Sequence, residues 1–559
     1  MAIIGGGMAG LTLAWQLKQT RPGLRMLVIE KQAHPVPEAA HKVGESTVEI
    51  AAHYLRDVLG LAEHLQTQQL PKFGLRIFAS FHDNSDITQR VELGHAVPPP
   101  RGVGTYQLDR GRLENALGGQ LAQKDIGFLD DCKVQQIVLQ PQDECHCLHV
   151  LREGKLHKIQ ARWIVDASGR SAVLKRQLGL AKQVGHHANA VWFRIAHPID
   201  INTWSTDPDW HARIREGERS LSTNHLMGTG YWVWLIRLAS DSTSIGIVAD
   251  ANVYPFEHMN RFDRALAWLQ QHEPQCAAIV EHHRDQVQDF RVMKDYAYSC
   301  EQVYSQDRWC LTGEAGVSLD PLYSPGGDLI AISNGLICDL ITRDIAGEDI
   351  EERAAIHNQF FLILVNSWLG IYEQQYALMD NARIMVAKVI WDTAVYWAIP
   401  GLLYFHDKFR DFVDSPGMVM NLLRFSLLSD HVQAFFRAWH TIDHSVAHDT
   451  SIRYYDFDFM EQLHIGMRAG LDDGALEQQF ATNVRFLEQL AGQLVSVVID
   501  ICEEQSNQPE VHHCIERWRT DPFLAELMTI YQQDRDIHPI DAGWITLGES
   551  LRNQEELVR

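Results

Sequence analysis

The chain opens with MAIIGGGMAGLTLAWQLKQTRPGLRMLVIEK, residues 1–31, and the reading of this stretch decides the fold. An apolar run leads into Gly5, Gly7 and Gly10 at G-x-G-x-x-G spacing. A segment with an apolar period of 3.6 follows, and a second apolar strand ends on Glu30. Gly5 allows a tight turn, Gly7 lets backbone N–H groups approach a pyrophosphate, and Gly10 lets helix and strand pack closely. Glu30, twenty residues after Gly10, is placed to accept hydrogen bonds from a ribose. The glycine spacing alone is a weak signal. Strand, helix, second strand and terminal acid in this order predict an α/β Rossmann-like unit that binds an ADP moiety, without choosing between NAD and FAD.

At 559 residues the chain is long enough for roughly two to four structural units. A formal net charge of −23 argues against nucleic acid and anionic membranes as main partners, because both repel it. Nine scattered cysteines do not read as a disulfide framework, and no charged-then-apolar leader precedes the first strand, so a reducing cytoplasm is the expected location. The most membrane-like stretch, TAVYWAIPGLLYF at 393–405, is shorter than a span and holds Pro400, which predicts a buried helix and turn. No metal site is read, since VHHCIERW at 511–518 with Cys502 upstream lacks the second close pair of a tetrahedral set.

Four further stretches choose between the cofactors. HKVGESTVEIAAHYL at 41–55 places Gly44, Glu45 and Ser46 before a helical run, where free amides can meet a flavin or its phosphates. TYQLDRGRLENAL at 105–117 sets Arg110 at a strand-to-helix junction. RWIVDASGRSAVLKRQLGL at 162–180 carries a buried strand ending on Asp166. RWCLTGEAGVSLDPLYSPGGDLIAISNGL at 308–336 has Gly313 and Glu314 after a strand, then a Pro/Gly loop with Ser324, Gly326 and Gly327 and a helix from about Asp328.

This order resembles the FAD-binding module shared by aromatic hydroxylases, geranylgeranyl reductases and flavin-dependent halogenases, over roughly residues 1–340. GEA at 313–315 is similar to that family's G-D-A loop at the ribityl chain, and VGEST at 43–47 resembles the halogenase branch. The resemblance implies a glutathione-reductase-type FAD module, residues 1–345, with an inserted antiparallel substrate sheet from about 70–108 and 187–300. The helical stripe Phe361, Leu364, Val365, Trp368, Leu369, Tyr372 opens an α-helical C-terminal domain, 346–559.

The halogenase branch implies two further marks. GYWVWLIRLAS at 230–240 matches its W-x-W-x-I-P strand with Trp232, Trp234 and Ile236, but has Arg237 in place of proline. The branch also implies a lysine that handles the electrophilic halogen, and Lys72 in LPKFGLRIF, 70–78, is the matching residue. Locally that stretch reads as one half-buried strand with Phe73, Leu75 and Ile77 on one face. Lys72 and Arg76 share the other, where Arg76 reads as solvated. In DPLYSPGGDL, 320–329, Pro321, Ser324 and Gly326 match the branch's halide turn. Pro325 lacks an N–H there, which predicts an anion site weaker by about 1–3 kcal/mol unless Gly326 and Gly327 donate instead. Tyr323 stands where indole halogenases often keep a glutamate. Asn224 and His225 read as loop-capping residues, with pocket residues as the alternative.

The chemistry implied is that of reduced FAD and oxygen forming a flavin hydroperoxide. A halide intercepts it, and the resulting hypohalous acid travels a closed passage to Lys72. Lys72 and Ser324 are then the catalytic candidates, with Trp232 and Trp234 lining the passage. The substrate is an electron-rich indole, phenol or pyrrole, whether free, carrier-bound or peptidyl. No second glycine fingerprint is visible, so a partner flavin reductase is expected to supply the reduced cofactor. Two rival readings stand beside this one: an aromatic hydroxylase, including one acting on a peptidyl tryptophan, in which Lys72 serves as general base or substrate-orienting cation; and a flavin-binding maturation factor.

Overall fold

The computed structural model describes residues 1–38, 42–94, 102–141, 144–214, 218–443, 450–505 and 508–534. Its first layer is a six-stranded sheet in the order Tyr304–Ser305, Trp309–Leu311, Ile164–Asp166, Ala2–Ile4, Leu27–Ile29, Gly127–Leu129. All pairs are parallel except the antiparallel edge at Tyr304–Ser305. Ile4 is in register with both Ile29 and Asp166, so the carboxyl ends of the central strands are level and open one crevice.

The helix Met8–Thr20 packs on this sheet, and the helix Pro325–Ala346 packs on that helix. Buried Asn334 joins them: its Nδ2 donates to Ala9 O at 3.2 Å, Thr12 Oγ1 at 3.1 Å and Tyr54 Oη at 3.1 Å, and its Oδ1 accepts from Thr312 Oγ1 at 2.9 Å. A buried amide with every bond made holds one arrangement, because any shift strands a polar group away from water.

The inserted sheet has eight strands, in the order Val287–Met293, Ala188–Ile195, Thr243–Asp250, Tyr231–Arg237, Thr223–Gly228, Leu75–Phe78, Glu92–Leu93, Ser451–Ile452. The resemblance implied an antiparallel sheet, but this one is mixed. Leu75–Phe78 runs parallel to Thr223–Gly228, and Ser451–Ile452, supplied from far along the chain, runs parallel to Glu92–Leu93. A long return is available at both places, which is what a parallel pair requires.

LPKFGLRIF is not one strand. Gly74 takes a φ of +68° and separates Leu70–Lys72, paired with Thr105–Gln107, from Leu75–Phe78 in the large sheet. The alternation therefore does not carry across it, and neither cation is solvated: Lys72 is 2% exposed and Arg76 4%. Arg76 pairs with buried Glu92, which also accepts Arg219 Nε at 2.9 Å.

From Glu351 the chain is mainly helical, with Glu351–Gly370, Ala382–Tyr396, Pro416–His440 and Asp473–Gln505 as the long elements. Phe361, Val365, Trp368, Leu369 and Tyr372 are buried on the stripe read from sequence. The stretch 393–405 is largely buried and passes through a π-helical turn, Trp397–Gly401, that contains Pro400. No helix among the described residues is long and apolar enough to cross a membrane.

The glycine geometry gives a first test. A Cβ on Gly10 would lie 2.0 Å from Gly5 O, and one on Gly5, at φ +115°, would lie 2.2 Å from Ala167 O, whereas Gly119 has open space. Gly5→Ala and Gly10→Ala are each expected to cost about 1–3 kcal/mol or more and to lose bound FAD. Gly119→Ala is expected to be neutral or stabilising, and thermal unfolding with cofactor absorbance reads all three.

Candidate functional site

A cavity of about 880 Å³ opens at the carboxyl ends of the parallel strands. Of the residues singled out from sequence, Gly5, Gly7, Glu30, Gly44, Glu45, Ser46, Arg110, Gly313, Glu314, Ser324, Gly326, Gly327, Trp232 and Trp234 line it. Gly10 and Asp166 are not in the lining. Gly10 is where helix and strand touch. Asp166, expected at the cofactor, is instead buried, accepting from Ser168 N at 2.9 Å and Leu174 N at 2.7 Å; it shapes the turn that brings Ser168 and Gly169 to the cavity.

At the dinucleotide end, Glu30 accepts from Gly6 N at 2.5 Å and Gln32 N at 2.9 Å, which fixes the carboxylate at the end of its strand. Arg110 Nη1 donates to Val43 O at 2.9 Å and Nη2 to Glu114 Oε1 at 2.6 Å; Lys42 also contacts Glu114. Glu114 accepts from Met8 N at 3.2 Å, at the N-terminus of the first helix. Burial pushes the Glu114 carboxyl up, but Arg110 and Lys42 together outweigh it and hold it below the usual range. Lys42 and Glu114 were not singled out from sequence. Each lies inside a quoted stretch, but only the turn that joins the stretches shows which side chain faces the helix end.

At the other end stand three tryptophans. Trp232 and Trp234 have ring centroids 5.7 Å apart; Trp232 Nε1 donates to Tyr376 Oη at 3.0 Å and Trp234 Nε1 to Ser244 Oγ at 3.1 Å. Trp192, also missed, lines the same cavity, and its buried Nε1 has no hydrogen-bond partner among the described residues. Glu45 lines the cavity and pairs through Oε1 with Arg194 at 2.7 Å, which also binds Asp289 at 2.9 Å; its buried Oε2 has no hydrogen-bond partner among the described residues. His225 is no loop cap: it is buried in the strand Thr223–Gly228 and packs on Trp232 with centroids 5.4 Å apart. Burial and the charge of Lys72 lower its pKa to about 3, so it is neutral. Asn224 does hold the turn, through Arg219 O at 2.9 Å and Ser222 O at 3.1 Å.

The Pro/Gly loop ends in a helix start rather than a broken turn. Tyr323 and Ser324 take φ values of +67° and +59°, and Pro325 is the first residue of the helix Pro325–Ala346, three residues before the start expected from sequence. A first-turn amide has no partner within its helix, so a proline there forfeits nothing. Gly326 and Gly327 follow with their own unpaired N–H groups at the positive end of a long helix. Ser324 Oγ donates to Ser46 Oγ at 3.0 Å, and Ser46 Oγ lies 2.9 Å from Thr223 Oγ1. Amides and hydroxyls thus converge at one corner of the cavity, a set suited to a small anion.

Lys72 lies behind that corner, in a second cavity of about 70 Å³. Pro325 borders both cavities. Lys72 Nζ donates to Thr47 O at 2.7 Å. Three acids missed in the sequence share its cavity, Glu49, Asp328 and Asp392. Asp328 accepts from Ala51 N at 2.8 Å and Tyr396 Oη at 2.8 Å. Burial lowers the Lys72 pKa to about 8, with Glu49 and Asp328 opposing it, and burial raises that of Asp328 to about 8. Glu49 is raised by burial as well. Tyr323 does not face Lys72 as an acid would; its hydroxyl donates to Asp392 at 3.0 Å. Arg237 ends its strand and reaches Ser220 Oγ at 3.5 Å.

A NAD(P)-binding Rossmann-like domain family matches residues 3–67. The flavin-dependent halogenase chlA of Dictyostelium discoideum is 25% identical over 437 residues, 71% of this chain and 69% of that protein. A 1H-pyrrole-2-carbonyl-[peptidyl-carrier protein] chlorinase of Pseudomonas fluorescens is 26% identical over 379 residues, 64% of this chain and 78% of that protein. Among solved structures, halogenase PltM in complex with phloroglucinol and FAD aligns over 98% of both chains at a TM-score of 0.56 and 16% identity. The chain is a homologue of flavin-dependent halogenases and has their fold: a Rossmann-like FAD-binding unit, mixed sheets and a helical C-terminal region.

The residues fit FAD. The nearest atoms to a Cβ on Gly7 would be Lys42 Nζ at 3.7 Å and Glu114 Oε1 at 3.9 Å, and Gly326 meets open space, so backbone is left free for phosphate and ring. The unpaired Trp192 Nε1 is a donor awaiting an acceptor in the same cavity. Lys42→Ala and Arg110→Ala are each expected to weaken FAD binding by about 1–3 kcal/mol, roughly 5- to 150-fold, read by fluorescence titration of oxidised FAD. The Asp328 carboxyl gives a pH test. Its folded pKa, about 8, lies above its unfolded value of 3.8, so Asp328 makes stability fall as pH rises through that window. Asp328→Asn is expected to flatten the slope of denaturant midpoint against pH between 4 and 8.

Proposed function

We propose that this chain halogenates an electron-rich aromatic ring using reduced FAD, oxygen and a halide. The observation that carries the reading is the pair of cavities bordered in common by Pro325, with an anion corner on one side and Lys72 on the other. When bound, reduced FAD with oxygen supplies the oxidising equivalents for the halide. The amides of Gly326 and Gly327, with the one hydroxyl hydrogen that the Ser324–Ser46–Thr223 chain leaves free, hold the halide at the flavin end. Trp232 and Trp234 wall that end and keep a ring substrate off the cofactor. Lys72, desolvated so that its neutral amine is within reach at physiological pH, receives hypohalous acid and directs it to a ring carbon. Gly5, Gly7, Glu30, Lys42 and Arg110 hold the dinucleotide, and Gly313 and Glu314 its ribityl side.

A separate flavin reductase is proposed as the electron source, because no second dinucleotide fingerprint follows a strand in this sequence. The Pseudomonas fluorescens relative is named for a pyrrole carried on a peptidyl-carrier protein, which supports a ring presented on a carrier here.

The test supplies chemically reduced FAD, oxygen and chloride or bromide with a panel of phenols, pyrroles and indoles, read by mass spectrometry. A halogen isotope pattern is expected, with a loss of about 100-fold or more in Lys72→Ala while FAD binding is retained. Ser324→Ala is expected to raise the halide concentration needed for half-maximal rate. Hydroxylated product formed without any halide dependence sinks the proposal.

A further inference from the structure

The turn that carries the anion corner is strained, and one helix of the C-terminal region grips it on both sides. Tyr323 and Ser324 are consecutive non-glycine residues in the left-handed region, at φ +67° and +59°. Such backbone is unfavourable for L-residues and persists only where surrounding contacts hold it. Lys388, Asp392 and Tyr396 of the helix Ala382–Tyr396 stand at i, i+4 and i+8, on one face. Asp392 Oδ2 accepts from Tyr323 Oη at 3.0 Å, just before Ser324, and Tyr396 Oη donates to Asp328 Oδ2 at 2.8 Å, just after the two glycines. Tyr396 Oη also accepts from Ile50 N at 3.0 Å, which ties in the helix that follows Ser46.

Asp392 poses an electrostatic problem. It is 5% exposed, and it stands one side chain away from a turn whose amides suit an anion. An unpaired carboxylate there would repel a halide, and a neutral group would hold Tyr323 by a weaker bond. Lys388, 2% exposed, answers both demands: its Nζ lies 2.9 Å from Asp392 Oδ2 and donates to Gln433 Oε1 at 2.7 Å. Gln433 Nε2 in turn donates to Asp392 Oδ1 at 2.8 Å, so the carboxylate is fixed from both sides. Lys388 and Gln433 line neither cavity and reach the turn only through Asp392.

We infer that Lys388, Asp392 and Gln433 are positioning residues for the halide. They hold Tyr323, and through it Ser324 and the start of the helix Pro325–Ala346, in the shape that gathers donors at the anion corner, while the lysine cancels the charge of the carboxylate. This inference rests on the halogenase reading above, in which the anion at that corner is the halide. Asp392 also walls the Lys72 cavity. One buried ion pair thus sets the anion corner and the cavity of Lys72 relative to each other.

Chloride NMR line broadening with the oxidised FAD-loaded enzyme reads halide affinity without turnover. Tyr323→Phe, which removes one hydroxyl and leaves the ion pair intact, is expected to weaken chloride binding about fivefold with FAD affinity unchanged. Lys388→Met is expected to weaken it about tenfold or more, and adding Asp392→Asn to restore most of the loss, because the lone carboxylate is then gone. In turnover with bromide, the half-saturating concentration is expected to rise in Tyr323→Phe while kcat at saturating bromide stays within about twofold, a split that loss of stability does not produce. Tyr323→Phe binding chloride as tightly as the wild type overturns the inference, as does a double variant no better than Lys388→Met; where Lys388→Met does not fold, Tyr323→Phe decides alone. No chloride binding by the wild-type enzyme, or binding that Ser324→Ala leaves intact, sinks the halide corner itself and with it the halogenase reading.

Discussion

The helix Pro325–Ala346 must satisfy polar groups along a face that is almost wholly buried, and the rest of the molecule is arranged around that demand. Asn334 bonds it to the first helix and to Tyr54, Asp328 bonds it to Ala51 and Tyr396, and Ser324 at its start bonds to Ser46. Each bond reaches a different part of the chain. The helix therefore cannot shift without stranding a buried donor or acceptor, at about 1–3 kcal/mol each. Its N-terminus, which faces the flavin cavity, inherits that rigidity.

The neighbouring loop is tied down in the same way. Asp320 accepts from His186 Nε2 at 2.7 Å and from the hydroxyls of Tyr296 and Tyr376 at 2.6 Å, and Tyr372 Oη donates to Leu322 O at 2.8 Å. Tyr372 and Tyr376 belong to the region that follows the first C-terminal helix. Tyr376 also takes the Trp232 indole N–H. The helical region thus helps to position both the anion corner and the tryptophan wall, which gives a physical reason for so long a C-terminal extension.

Charge follows a similar logic. A chain with a net charge of −23 still buries Lys72 at 2% exposure. Glu49 and Asp328, themselves desolvated, face the same space. Ionisable groups gathered in one dry cavity cannot all keep their ordinary protonation states, and desolvation brings both Lys72 and Asp328 to about 8. Perturbations of that size in a cavity next to a cofactor site mark it as a candidate functional site.

Much of this was legible in the chain itself, wherever local geometry carries the meaning. Glycine spacing, strand order and the acid at residue 30 determined the Rossmann-like unit, because a backbone that must approach a dinucleotide tolerates few alternatives at those positions. The resemblance then led to Lys72. What the chain could not show was set by partners distant in sequence. Gly74 splits the apparent strand around Lys72, and Glu92 and Arg219 bury Arg76. Asp166 turned inward to its own loop, Pro325 proved to be a helix start, and Glu49, Asp328, Lys42 and Trp192 were assigned to cavities only by the packing of separate segments. Sequence determined the class of fold and the cofactor it serves. Tertiary structure alone decided which charges are desolvated together, since burial belongs to the assembled chain and not to any stretch of it.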